Sequence, residues 1–165
     1  MPSVIYDELM ASLAGEGPVS DQALRLAVAY IEHARRGSLE LAEIFGLGEA
    51  MACETITEDT LNDVRCAMVR LVECGLCTTA QVPTVVYALT RLADPRLVPL
   101  LTAWLGEHLR ELLVHHRAVS QLLFGLTGLG APVPFRPSAG VSTVELNIET
   151  ATKYLEAATG ARPWQ

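Results

Sequence analysis

The chain has 165 residues, half of them hydrophobic and 19% charged, with a formal net charge of −7. That length suits one domain able to bury a real core without disulfide or metal staples, and the apolar content excludes a disordered, solvating chain. The acidic balance, with Lys153 as the only lysine and no arginine cluster beyond Arg35-Arg36, excludes the basic stripe that phosphate-neutralising nucleic-acid binders use. It serves solubility and would attract a basic protein partner.

The opening MPSVIYDELM has no basic region followed by an apolar core, so no secretory leader is expected. No apolar run approaches the ~20 residues that cross a bilayer. A cytoplasmic location follows as the expectation, and in that compartment Cys53, Cys66, Cys74 and Cys77 are expected as reduced thiols.

Helical periodicity runs through the chain. Ser3 is placed to cap a helix to about Leu13, closed by Gly15 and the Gly17-Pro18 breaker. Ser20 opens the next, whose Leu24, Ala27, Val28 and Ile31 share one stripe, and Gly37 ends it. Ser38 starts a shorter piece with Leu39, Leu41, Ala42 and Phe45, blurred by Gly46 and Gly48. Thr57, followed by Glu58 and Asp59, reads as a cap with acids at the positive helix end. Leu61, Val64, Met68, Leu71 and Val72 follow at helical spacing up to Gly75.

Thr78-Thr79-Ala80-Gln81 has capping-box spacing, and Pro83 falls in the first turn of a helix faced by Val82, Val85, Val86, Leu89 and Leu92. The stretch LADPRLVPLLTAWL then carries two prolines. Asp94 precedes Pro95 and is pushed out of the helical region, so one helix ends near Ala93 and a second begins with Asp94 as cap. Pro99, one turn further, is expected to tilt the new helix. Trp104 joins Leu101, Leu105 and Leu109 on an apolar stripe and is expected in the core. Trp164 would plug the chain's end.

VVYALTRLADPRLVPLLTAWL resembles the HEAT-like repeats, including the bacterial kind first described around phycobilin lyases. The residues that carry the likeness are Ala88, Leu89, Leu92, Asp94, Pro95, Arg96, Val98, Pro99 and Leu101. HHRAVSQLLFGLTGLGAP looks like the following second helix, and YLEAATGARPW is similar to the closing segment of such proteins. The resemblance implies an all-α fold of antiparallel helix pairs stacked as a short HEAT-like α-solenoid. It would form one domain over residues 1–165, with its clearest repeat at 80–130 and a C-terminal loop and capping helix at 131–165. It further implies a concave face of second helices that holds another protein, as scaffold, adaptor or inhibitor, with Arg91, Arg117 and Gln121 as candidate contacts.

Other constellations compete for function. Cys74-Gly75-Leu76-Cys77 puts two thiols at metal-ligand or redox spacing, but Cys66 lies about 12 Å away along a helix axis, and the pair sits at a helix end that does not lower a thiol pKa. Incidental cysteines are the expectation. His108, His115 and His116 lie near Glu107 and Glu111; one unbroken helix would align His108 with His115, whereas a repeat boundary scatters them over a solvated turn, which is the expectation. Cys74, Cys77, His108 and His115 are thus the weak metal candidates, and neither a bound metal nor a cofactor is expected.

The loop PVPFRPSAG sets Phe135 and Arg136 between prolines, residue types enriched at interface anchors. The expected arrangement lays this loop over the last helix with Phe135 as a core plug. No glycine-rich phosphate loop and no trustworthy nucleophile–base spacing is present, so an interaction protein is expected before an enzyme. Its narrower form is an acidic immunity or inhibitor protein covering a basic toxin. A small metal- or metabolite-dependent helical enzyme is the competing class, and the apolar content leaves room for a homodimer.

Overall fold

The computed structural model describes residues 4–112, 116–135, 140 and 143–159. Among these the regular structure is helical throughout: α1 (Val4–Leu13), α2 (Asp21–Arg36), α3 (Glu40–Ile44), α4 (Gly48–Ala52), α5 (Glu58–Glu73), α6 (Val82–Arg91), α7 (Val98–Leu112), α8 (His116–Gly128) and α9 (Thr143–Thr159), with 3₁₀ turns at Thr79–Gln81 and Pro95–Leu97. The chain divides between Leu92 and Ala93 into two compact units.

In residues 1–92, α2 is the central element. It packs along α6 and against α1, α3 and α5, while α1 lies along α5. Local chemistry fixes its ends: Ser20 accepts the Ala23 N–H at 3.1 Å, and Gly37, at a φ of 67°, closes the C-terminus. The periodic residues Leu24, Ala27, Val28 and Ile31 are all buried, as are the stripes of α5 and α6 that face them. Each leucine, valine, isoleucine or methionine among them contributes roughly 1.5–3 kcal/mol by leaving water.

Thr57 and Thr60 form a reciprocal capping box at the start of α5, with threonine in the place usually taken by glutamate. The start of α1 is held from a distance, because Glu54 Oε1 accepts the Ile5 N–H at 2.8 Å. Gln81, expected only as part of a cap, does more. Its carbonyl oxygen accepts from Thr78 N, and its amide donates to Val19 O and to Asp21 Oδ1. With the Val19 N–H donating to Leu76 O, it ties the segment before α2 to the segment before α6.

The joint after α6 has Ala93 at a φ of 55°, the one positive value among the described non-glycine residues. Asp94 follows in extended backbone and accepts the Arg96 N–H. Because the 3₁₀ turn Pro95–Leu97 comes first, α7 begins at Val98 and Pro99 is its second residue. The expected tilt from a proline one turn inside the helix is therefore corrected: at that position no intrahelical hydrogen bond is lost.

In residues 93–165, α7 packs on α8, and α9 packs on both. Leu101, Trp104, Leu105 and Leu109 of α7 are buried, as are Val119, Leu122, Leu123 and Leu126 of α8 and Ala151, Tyr154 and Leu155 of α9. The Thr102 and Tyr154 hydroxyls share a hydrogen bond of 2.6 Å between α7 and α9.

Candidate functional site

The buried stripe of α8 determines what its other face shows. At 100° per residue, Val119, Leu122, Leu123 and Leu126 point one way, and Gln121, Phe124 and Gly128 lie on the opposite side. Phe124 is 61% exposed there and Gln121 is half-buried. Arg117 lies in α8 two turns before Phe124, and its side chain is outside the described residues.

The segment after α8 returns over this face. Gly130, at a φ of 95°, turns the chain, a conformation that costs glycine little. The buried Leu129 and Ala131 anchor the turn, and the Ala131 N–H donates to Leu126 O at 3.0 Å. Two three-residue turns follow around Pro132 and Pro134, closed by Val133 N–H to Ala131 O and Phe135 N–H to Val133 O, each 2.9 Å. They bring Phe135 onto Phe124 with ring centroids 5.2 Å apart and 21° between planes. Phe135 remains 42% exposed, so the expectation of a core plug is corrected. Its ring stacks on another surface aromatic, while Leu126, Leu129 and Ala131 nearby in the chain take the buried positions. Arg136, proposed beside it, lies outside the described residues.

Arg91 occupies a different setting. Its Nε lies 3.0 Å from Glu32 Oε1, and its guanidinium carbon sits 4.8 Å from the centroid of the Tyr87 ring. The Tyr87 hydroxyl donates to the same carboxylate oxygen at 2.9 Å, and Arg36 Nε stands 3.9 Å from the other oxygen. Glu32 is only 5% exposed, and burying a carboxylate to that extent is costly unless it is paired and hydrogen-bonded. Arg91 is thus committed to internal bonding, with part of its side chain still at the surface.

Among the described residues the thiols gather no ligand set. Cys53, Cys66 and Cys74 are exposed and Cys77 half-buried, all free. Burial pushes the Cys77 thiol up to about 11, the opposite of what a redox pair needs. Among the described residues no group of three or more His, Cys, Asp or Glu side chains is placed to hold a metal ion. The His108 side chain and the whole of His115 lie outside the described residues, and α7 ends at Leu112 and α8 begins at His116.

Charge is divided unevenly. Residues 1–92 carry 13 acidic and 6 basic side chains, whereas 93–165 carry 6 of each. From residue 37 to 64 there are seven acids and no base. The aromatic pair therefore sits on the neutral unit, and the whole net charge of −7 belongs to the other.

Phe124 escaped the sequence reading, though a signal was present: an aromatic lying off the leucine stripe of its own helix. No helix among the described residues is long and apolar enough to cross a membrane. Compared with protein families, curated proteins and solved structures, the chain matches none.

Proposed function

We propose that the chain is a non-catalytic interaction module built on HEAT-like helix pairs, and that it holds another protein. The observation that carries this reading is the Phe124–Phe135 pair, two stacked rings left 61% and 42% exposed. Paired aromatics are the residue type that anchors protein interfaces, since their large area is buried at little entropic cost. The packing in residues 1–92 supports the repeat reading, because α1 against α5 and α2 against α6 is the pairing that two stacked helix hairpins produce. On this reading α3 and α4 form the link between hairpins, and Gln121 flanks the aromatic anchor.

A second reading makes the partner basic, as an immunity or inhibitor protein would require. The seven acids between residues 37 and 64, with no base among them, favour it through long-range attraction that speeds encounter. Affinity capture from the native host, with the wild-type chain beside a Phe124→Ser/Phe135→Ser variant, tests the first reading. A stoichiometric protein held by the wild type and lost from the variant supports it, and equal retention by both refutes it. Steep weakening of that capture between low and moderate salt would support the basic partner.

A further inference from the structure

We propose that a cavity at the N-terminal end of α2, separate from the aromatic pair, binds a small organic ammonium carrying an apolar group. The cavity has a volume of about 350 Å³ and is bounded by α1, the start of α2 and the turn between α3 and α4. That volume is at the small end of the range for ligand sites, roughly 300–1,000 Å³.

Its two sides differ in kind. Ala23 and Leu26, both buried on α2, form an apolar wall with Phe45 and Leu47. The α3–α4 turn aims these last two. The Leu47 N–H donates to Ala42 O at 2.8 Å and the Gly46 N–H to Glu43 O at 3.0 Å, with Gly46 at a φ of 73°. The rim opposite carries Glu8, Ser12, Ser20 and Gln22.

The hydrogen-bonding inventory of the rim selects the ligand. Ser12 Oγ spends its proton on Glu8 O at 2.9 Å and so offers only lone pairs to the cavity. Ser20 Oγ accepts from Ala23 N and keeps its proton to donate, and the amide of Gln22 can both donate and accept. Glu8 is the one charged residue in the lining, and its carboxylate accepts only. The only charge on the rim is therefore negative, and the rim belongs to the unit that carries the entire net charge of −7.

An anion finds no cation there. A hard metal ion, which needs six or more oxygens, finds one carboxylate, one amide oxygen and two hydroxyls that are each already in a hydrogen bond. An ammonium group matches Glu8 and the Ser12 lone pairs, while its apolar part lies against Leu26 and Leu47. The Phe45 ring adds attraction for a cation at its face.

The test uses the full-length protein labelled with ¹⁵N and three probes of like shape: 2-phenylethylammonium, 2-phenylethanol and 3-phenylpropanoate. Titration should shift amides at residues 8–12, 20–26 and 45–47, and leave those of Met10's neighbours across the α1–α5 groove, Ala67 and Arg70, unmoved. The ammonium should bind about fivefold tighter than the alcohol, and the carboxylate weakest of the three. Glu8→Gln, at an exposed position that does not threaten folding, should weaken the ammonium roughly threefold and leave the alcohol unchanged. The proposal is overturned by no shift up to the solubility limit, by equal binding of the three probes, by shifts mapping to another surface, or by a Glu8→Gln variant that binds the ammonium like wild type. None of these outcomes bears on the aromatic pair, whose capture experiment stands apart.

Discussion

Replacing Arg91 with methionine isolates the energetics of the Glu32 network. The substitution keeps the length and most of the apolar stem of the side chain but removes the cation 3.0 Å from Glu32. What remains for a carboxylate whose side chain is 7% exposed is the Tyr87 hydroxyl and Arg36 Nε at 3.9 Å. Stripping one partner from a fully buried pair costs about 3–5 kcal/mol. The Arg91 side chain is 31% exposed, so water reaches the vacated position, and the expected loss falls to about 1.5–3 kcal/mol. Glu32→Gln should cost less, about 0.5–1.5 kcal/mol, because a partly exposed guanidinium can be hydrated whereas an enclosed carboxylate cannot. The double variant should then be more stable than the sum of the two losses implies, with a coupling of about 1–2 kcal/mol. Urea unfolding followed by circular dichroism, with midpoints compared at constant slope, measures all four corners of the cycle. If Arg91→Met costs under about 0.5 kcal/mol, or less than Glu32→Gln, Glu32 does not depend on Arg91 and the argument from burial is wrong.

Thr57→Ala removes the side-chain half of the capping box at the start of α5, the Thr57 Oγ1 that accepts from Thr60 N at 3.1 Å, and should destabilise the protein by about 1 kcal/mol, read as a lower urea midpoint; an unchanged midpoint would mean that this bond contributes nothing. Phe124→Ser should lower stability by less than about 1.5 kcal/mol, the upper worth of an aromatic pair beyond its burial, since the ring is already 61% exposed. A larger loss by thermal unfolding would show that the pair is structural. Cys77, whose thiol burial pushes up to about 11 from an ordinary value of 9.0, keeps its proton in the folded chain where the unfolded chain has lost it. Its contribution to stability is complete below pH 9 and is lost as the pH rises toward 11, so wild type should lose stability across that window relative to Cys77→Ser. With iodoacetamide at pH 8, where about one thiol in a thousand at this site is ionised, Cys77 should label more slowly than the exposed Cys74; equal rates by peptide mass spectrometry would refute the shift.

The long helices α2 and α5 were legible because each carries its own start, stripe and stop. Ser20 and Thr57 cap where their spacing placed them, and every apolar position assigned to the faces of α2, α5 and α6 is buried. These are local rules, in which burial at i, i+3, i+4 and i+7 and a hydroxyl at the cap need no knowledge of the partner element. What depends on a partner far along the chain was not legible. Glu54 reaches back across 49 positions to cap α1, Gln81 bridges 62 to Val19, and Arg91 finds Glu32 on α2. None of these residues carries a sequence mark that distinguishes such a role from a solvated one.

The aromatic pair lies between these cases. Phe124 violates the stripe of α8, and that violation is a local signal. That Phe135 meets it required two consecutive turns around Pro132 and Pro134, and those turns follow from a backbone path that proline makes available without dictating. A helix free to choose would place phenylalanine on the buried side with Leu122 and Leu126, where its area stabilises the fold. At position 124 the ring brings the isolated protein little and leaves apolar surface in water, an arrangement that makes physical sense when something else covers it.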